Sequence, residues 1–225
     1  MDKKELQKRR MMSYFIEATN KIIEEEGLEA VTVRKVADIA GYNSATLYNY
    51  FTDLEHLTFY ASIKYLKDYV LDVPNFIKSA PSALEKYLGI WKCFCFHSFS
   101  NPRIYYTIFF NKHTESLSDA LQEYYEIFPE ELGDQTHDIL PMFLKRNIYE
   151  RNITALQSLV HEGILDKADL EEINEMTLLI YQGMFIRLFN LEIDYSTEVA
   201  MEKTLKYIKR TLMVYCIDST LNRPS

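Results

Sequence analysis

The chain has 225 residues, 48% of them hydrophobic and 26% charged, with 33 acidic against 25 basic side chains and a formal net charge of −8. That is the composition of a globular protein of one or two domains with a substantial core, and no stretch approaches the roughly 20 apolar residues of a membrane span. Cys93, Cys95 and Cys216 form no C-x-x-C, and the five histidines form no H-E-x-x-H pair, so neither a zinc framework nor a disulfide scaffold is expected, and no cofactor.

The first ten residues lack the apolar core of a signal peptide, which points to cytoplasmic residence. They bring Lys3, Lys4, Lys8, Arg9 and Arg10 together instead. A first helix is expected from about Leu6 to Glu26, with Phe15, Ala18 and Ile22 as its buried stripe and Gly27 as its stop. Thr32 is a good N-cap for a short helix whose Val33, Val36, Ala37 and Ala40 share a face, and Gly41 can end it in the left-handed conformation. Asn43 opens a second helix expected over Ser44 to Phe51, and Asp53 caps a third. Two short helices joined by a tight glycine turn make a helix-turn-helix, whose second helix can enter the major groove of DNA.

That second helix has a suitable surface. Leu47 and Phe51 point to the core, while Ala45, Thr46 and Asn49 point roughly the opposite way between Tyr48 and Tyr50. Asn49, Thr46 and Ala45 are expected at base edges, with Tyr48, Tyr50 and Thr32 on phosphates. Arg34 on the preceding helix and Ser44 at the start of the reading helix complete the candidate DNA-binding set. Residues 1–56 hold eight Lys/Arg against ten Asp/Glu, but DNA responds to the local face and not to the sum.

Thr32 with Val36-Ala37, then Ala40-Gly41, Thr46-Leu47-Tyr48, Tyr50-Phe51 and Leu57, resembles the N-terminal domain of the TetR family of bacterial repressors. One departure is Leu54, where that family usually places a lysine against a phosphate. The resemblance implies an all-α protein, with a three-helix DNA-binding domain followed by a helical bundle for ligand binding and dimerisation. It also implies a one-component repressor on a double-stranded DNA operator, released by a small-molecule effector, and a homodimer whose last two helices form a four-helix bundle with their mates. The expected division is residues 1–53 for DNA and 54–225 for ligand and dimer.

A fourth helix is expected from about Glu55 to Leu71, with Leu57, Ala61 and Leu66 inward, ending before Pro74. No Gly/Ser linker follows it. The rest reads as helix, broken near Ala80-Pro81, Asn101-Pro102, Pro129 to Gly133, Pro141, Gly163 and Asp194 to Ser196. Trp91 to Phe99 is apolar nearly all round and reads as a central buried helix; Ile104 to Phe110 reads as a short aromatic helix opened by Pro102. The last two helices are expected over about Lys167 to Glu192 and Thr197 to Asp218. The stripe Leu170, Ile173, Thr177, Ile180, Tyr181, Met184, Leu188 and Leu191 lies on the first. Met201, Leu205, Ile208, Leu212 and Tyr215 lie on the second.

Helix bundles hold ligands between their helices, in apolar and aromatic cavities with a few polar groups. Trp91, Phe94, Phe109 and Phe110 are the aromatic candidates, and His97, Tyr106, Arg187 and Asn190 the polar ones. Arg187 interrupts an apolar run and must either snorkel outward or meet an anion. The expected ligand is therefore hydrophobic or aromatic, with or without a carboxylate. The competing reading is an all-helical enzyme or small-molecule-binding protein whose helix-turn-helix is not used on an operator. Its nearest catalytic candidates, Cys95, His97 and His113, have no recognisable partners in the sequence.

Overall fold

The computed structural model describes residues 2–131, 140–145 and 147–217. In chain order the helices are α1 (Lys3–Glu26), α2 (Val33–Ala40), α3 (Ser44–Leu47), α4 (Leu54–Ser62), α5 (Leu66–Ile77) and α6 (Ala83–Ser100). They continue with α7 (Pro102–Phe109), α8 (Leu117–Ile127), α9 (Leu140–Phe143), α10 (Ile148–His161), α11 (Leu170–Phe189) and α12 (Thr197–Tyr215). The chain divides into two compact units, Met1–Lys67 with Arg103–Asp134, and Asp68–Pro102 with Gln135–Ser225.

In the first unit α1 is the scaffold. Phe15, Ile16 and Ile22 are buried along it together with Val36, Leu47, Phe51 and Leu57, which gives the three short helices a common core. The Phe51 ring meets Phe15 edge-on at 6.5 Å and Tyr60 at 5.7 Å. Gly27 stops α1 at φ 89° and Gly41 stops α2 at φ 77°, conformations that cost an L side chain energy. α8 lies along α1 through ion pairs: Lys8 with Glu123 and Arg9 with Glu126, each at 2.5 Å. Tyr60 Oη also donates to Glu123.

The second unit is built around α6, whose Trp91, Cys93, Phe94, Cys95 and Phe99 are buried as the apolar run predicts. α10, α11 and α12 all pack on α6. The Tyr181 ring on α11 is stacked on Phe99 at 5.7 Å and tilted against Phe94 at 5.1 Å. Gly89 is needed for close packing, since a Cβ there would stand 2.8 Å from the Phe76 carbonyl oxygen. Ile217 N donates to the Ile164 carbonyl at 3.0 Å, which pins the chain just beyond α12.

Four expectations about the elements are corrected. The helix expected over Ser44 to Phe51 is α-helical only to Leu47; Asn49 N and Tyr50 N then bond to the carbonyls of Thr46 and Leu47 in tighter i→i+3 fashion. Tyr48-Asn49-Tyr50 is a run of weak helix formers, and the Asp53 cap follows almost at once. The fourth helix is broken by a 3₁₀ turn at Ile63–Tyr65, where no residue is a helix breaker by itself. Pro74 does not end it either but lies inside α5, whose buried Tyr69, Val70 and Val73 hold the helix through one missing hydrogen bond. The break expected near Pro141 falls at the start of α9, whose first turn holds Pro141 where a missing N–H costs nothing.

Leu191 is the fourth correction. It leaves the stripe because α11 ends at Phe189, and Leu191 takes φ 57° and is 84% exposed. Leu170, Ile173, Thr177, Tyr181 and Met184 are buried within the chain, as are Met201, Ile208 and Leu212 on α12. Asp218, the expected end of the last helix, lies outside the described residues.

Candidate nucleic-acid interface and effector cavity

Three side-chain caps set the geometry of the head. Thr32 Oγ1 accepts from Lys35 N at 3.3 Å, Asn43 Oδ1 from Thr46 N at 2.9 Å, and Asp53 Oδ1 from His56 N at 2.8 Å. Each satisfies an amide that a helix start leaves without a partner, and each fixes where its helix begins. Leu47 and Phe51 are then buried, and Ser44, Ala45, Tyr48 and Asn49 are exposed on the opposite side together with Thr32 and Arg34. Tyr48 is 53% exposed, a large apolar ring kept in water.

Two candidates sit differently from the rest. Thr46 is half-buried and its hydroxyl donates to Asn43 Oδ1 at 3.0 Å, so it braces the cap. Tyr50 is half-buried with its ring 6.3 Å from Phe15. Sequence reasoning passed over Tyr42, in the turn between α2 and α3, which is exposed and stacked on Tyr14 at 6.1 Å. The available signal was an aromatic placed directly after the helix-ending Gly41.

Among the basic residues of the head, Lys8 and Arg9 are held by α8 as described above. Lys35 Nζ pairs with Glu26 at 2.7 Å, and Arg103 with Glu29 at 2.7 Å. Glu26 and Glu29, at and just beyond the end of α1, thus take up a lysine and an arginine from other elements.

In the second unit a small cavity of about 30 Å³ lies between α5, α6, α9 and α10. Trp91 and Phe94 line it together with Tyr69, Met142 and Arg151. Beside it runs an open groove of about 620 Å³, which shares the walls Ile90, Met142 and Ala155 with the cavity. Behind Trp91 is a buried hydrogen-bond hub. Asn152 Oδ1 accepts from Tyr87 Oη at 2.9 Å and from Trp91 Nε1 at 3.1 Å, and Asn152 Nδ2 donates to Thr177 Oγ1 at 2.8 Å. Burial raises the Tyr87 phenol to about 12, against the opposing pull of its bonds to Thr177, Trp91 and Asn152. The hub is saturated, so it fixes the indole more than it offers a ligand anything.

The remaining ligand candidates are elsewhere. His97 Nε2 meets Asp72 Oδ2 at 2.9 Å. Arg187 is exposed, the snorkelling outcome, and the exposed Asn190 donates to Glu192 Oε1 at 3.0 Å. Tyr106, Phe109 and Phe110 belong to the first unit, where Tyr106 stacks on Phe110 at 5.9 Å and the buried Phe109 on Tyr105 at 6.1 Å. The charged side chain that does line the cavity, Arg151, was missed. It is only 6% exposed, and its Nη2 donates to the Phe143 carbonyl at 2.6 Å. Its signal was the spacing: Ile148, Arg151, Asn152, Leu156 and Leu159 fall on one face of a 3.6-residue helix.

A capped helix-turn-helix joined to a helical body that holds an aromatic cavity defines a class, the helical DNA-binding transcriptional regulators. Residues 15–60 match the model of the family described as bacterial regulatory proteins, tetR family. Over these residues the head is a TetR-type DNA-binding domain. Similar solved structures carry the fold beyond the head. RolR in complex with resorcinol has 14% identity and a TM-score of 0.59, over 97% of this chain and 96% of that one. A TetR transcription regulator from Haloarcula marismortui has 14% identity and a TM-score of 0.54, over 92% and 98%. A TetR-family regulator from Mesorhizobium loti has 14% identity and a TM-score of 0.54, over 96% and 100%. Among curated proteins none matches the chain. No helix among the described residues is long and apolar enough to cross a membrane.

Proposed function

We propose that the chain is a dimeric cytoplasmic repressor that leaves a palindromic operator when a hydrophobic or aromatic small molecule enters the α5–α6–α9–α10 cavity. Residues 1–53 read DNA in this scheme, and residues 54–225 carry the effector and the dimer contacts. The observation that carries it is the exposed face of Ala45, Tyr48 and Asn49, presented on a turn whose start is capped by Asn43 and whose back is buried through Leu47 and Phe51. Small and amide side chains at the centre of such a face suit close approach to base edges. RolR, similar in fold, is complexed with resorcinol, a small aromatic molecule.

The dimer is assigned to the outward faces of α11 and α12. Met176, Leu179 and Gly183 share a face of α11, Leu179 being 61% exposed; Tyr207 and Val214 lie on α12, Val214 being 63% exposed. A glycine in mid-helix costs about 1 kcal/mol against alanine, and nothing among the described residues lies within 4 Å of where a Cβ at Gly183 would stand. A second copy's helix crossing closely at that point gives the glycine a purpose. Release then requires that the ligand favour the state whose two heads no longer match the half-sites, since only a difference in affinity between states shifts the equilibrium.

The test is footprinting on the DNA upstream of the chain's own gene. Protection of two inverted half-sites, centred about 34 Å apart or a multiple of it, is expected. Binding with no sequence preference at moderate salt would end the operator reading.

A further inference from the structure

The flank of α6 turned away from the Trp91–Phe94 cavity forms, with α12, an open groove of about 840 Å³. From α6 it takes residues at i, i+3, i+4 and i+7, Glu85 to Lys92, and from α12 the same spacing carried one turn further, Glu202 to Met213. Its floor is apolar: Phe76, Leu88, Met201 and Leu205 are buried or half-buried, and Met213 is 38% exposed. Its rim is basic. Lys92, Lys206, Lys209 and Arg210 stand there exposed against Glu85 and Glu202, the reverse of the chain's balance of 33 acids to 25 bases. Lys209 lies 3.7 Å from Glu85, and Lys92, Lys206 and Arg210 form no ion pair among the described residues. Tyr207 and Val214, the α12 residues assigned to the dimer, lie on a different face of that helix, so that assignment does not cover the groove.

We propose that this groove docks an acidic amphipathic helix of a partner protein, with the helix's apolar stripe on the floor and its carboxylates on the rim. The α12 wall runs for about 17 Å at 1.5 Å per residue, the length of a helix of about three turns. Its openness favours a helix. An open groove covers one side of what it holds, which suffices for a helix whose other face is polar, whereas a small apolar ligand needs most of its surface enclosed. The cations are spread along the groove, Lys206 to Arg210 on one wall and Lys92 on the other, which suits charges repeated along a helix better than a single anionic head group. A nucleic-acid backbone would meet the same cations but leave the apolar floor in water. Met201 and Met213 supply unbranched side chains that adapt to the partner's stripe. Complementary charge speeds encounter and rejects basic segments, and both effects weaken with salt.

The full-length protein is titrated with three dye-labelled helical peptides of about 15 residues, followed by fluorescence polarisation. The first carries a leucine stripe flanked by glutamates, the second the same stripe flanked by lysines, and the third the glutamates with serine in place of leucine. The first is expected to bind at least about tenfold more tightly than either of the others at low salt, and to weaken as salt rises. K206E with R210E, both exposed side chains, should invert the preference between the first two, and K92E on the other wall should weaken the first. Melting temperature and DNA retardation of both variants should match wild type; if one folds poorly, the other variant and the three peptides on the unmutated protein still decide. Equal binding of the glutamate and lysine peptides, or of the leucine and serine ones, overturns the inference, as does no binding at about 1 mM. So does a preference unchanged by the rim variants, which would place the peptide elsewhere. A groove filled by a second copy would show as wild-type association lost in K206E/R210E with no peptide bound, and that outcome overturns the proposal too.

Discussion

Lys112 Nζ donates to Asp53 Oδ2 at 2.9 Å, tying the residue that caps α4 to the turn that follows α7. The same ammonium lies 2.8 Å from Glu55, and His113 Nε2 is 3.5 Å from Asp53 Oδ1. One carboxylate therefore both starts α4, immediately after the reading segment, and anchors a turn distant in sequence.

Asp53 should give the head an acid-sensitive stability. Desolvation by itself would raise its pKa, but the hydrogen bonds from Lys112 and the His56 amide and the charges of Lys112 and His113 lower it from 3.8 to about 2. Its contribution is thus present above pH 3.8 and is lost as pH falls toward 2. D53N keeps a capping oxygen and loses the exposed ion pair, at a cost below about 1 kcal/mol; D53A also loses the cap, about 1 kcal/mol more. Urea denaturation of wild type and D53N between pH 2 and 5 measures this. Parallel curves would show that Asp53 does not titrate as described.

Asn49 should read a base. N49A is expected to relax preference at one operator position by roughly 1–3 kcal/mol, whereas T32A should weaken all sequences alike. Binding to a set of single-base operator variants separates the two. An unchanged selectivity profile for N49A removes it from the interface.

Glu126 should restrain the basic arm. It holds Arg9 Nη2 at 2.5 Å while Glu5 takes Nε at 3.3 Å, and E126Q releases the Nη2 end of that guanidinium for phosphate. Operator affinity should rise at low salt, and the slope of log K against log salt should steepen by about 1. If affinity and slope match wild type, Arg9 does not reach DNA.

Leu179 and Leu212 should separate association from folding. Leu179 on α11 is 61% exposed and Leu212 on α12 fully buried. L179E should yield a folded monomer in sedimentation, whereas L212A should lose about 2–5 kcal/mol of stability by opening a cavity. A wild type that is monomeric at micromolar concentration removes the dimer proposal.

Asn152 should be a stability residue. N152L leaves the Tyr87 hydroxyl, the Trp91 indole N–H and Thr177 without the partner each has now, at roughly 1–3 kcal/mol for each buried group left unpaired. Denaturation followed by Trp91 emission should show a loss well beyond 2 kcal/mol. A loss under about 1 kcal/mol would mean that water restores the bonds.

By itself the sequence determined what is local. Thr32, Asn43 and Asp53 cap because their side chains reach amides two or three residues on, and Gly27 and Gly41 stop helices because they accept positive φ; neither depends on distant contacts. The 3.6-residue periodicity likewise identified the buried faces of α1, α11 and α12. Tertiary structure decided what depends on partners far along the chain. The weak run Tyr48-Asn49-Tyr50 tightens under the buried Phe51, and α5 continues through Pro74 because its neighbours are buried. Lys8 and Arg9, free in any reading of the N-terminus, find Glu123 and Glu126 more than a hundred residues away. Arg187 interrupts an apolar run, whereas Arg151 stands between Glu150 and Asn152. Helix periodicity gives their faces, but only packing decides which face is covered: Arg187 reaches water, and Arg151 is enclosed beside Trp91 and Phe94.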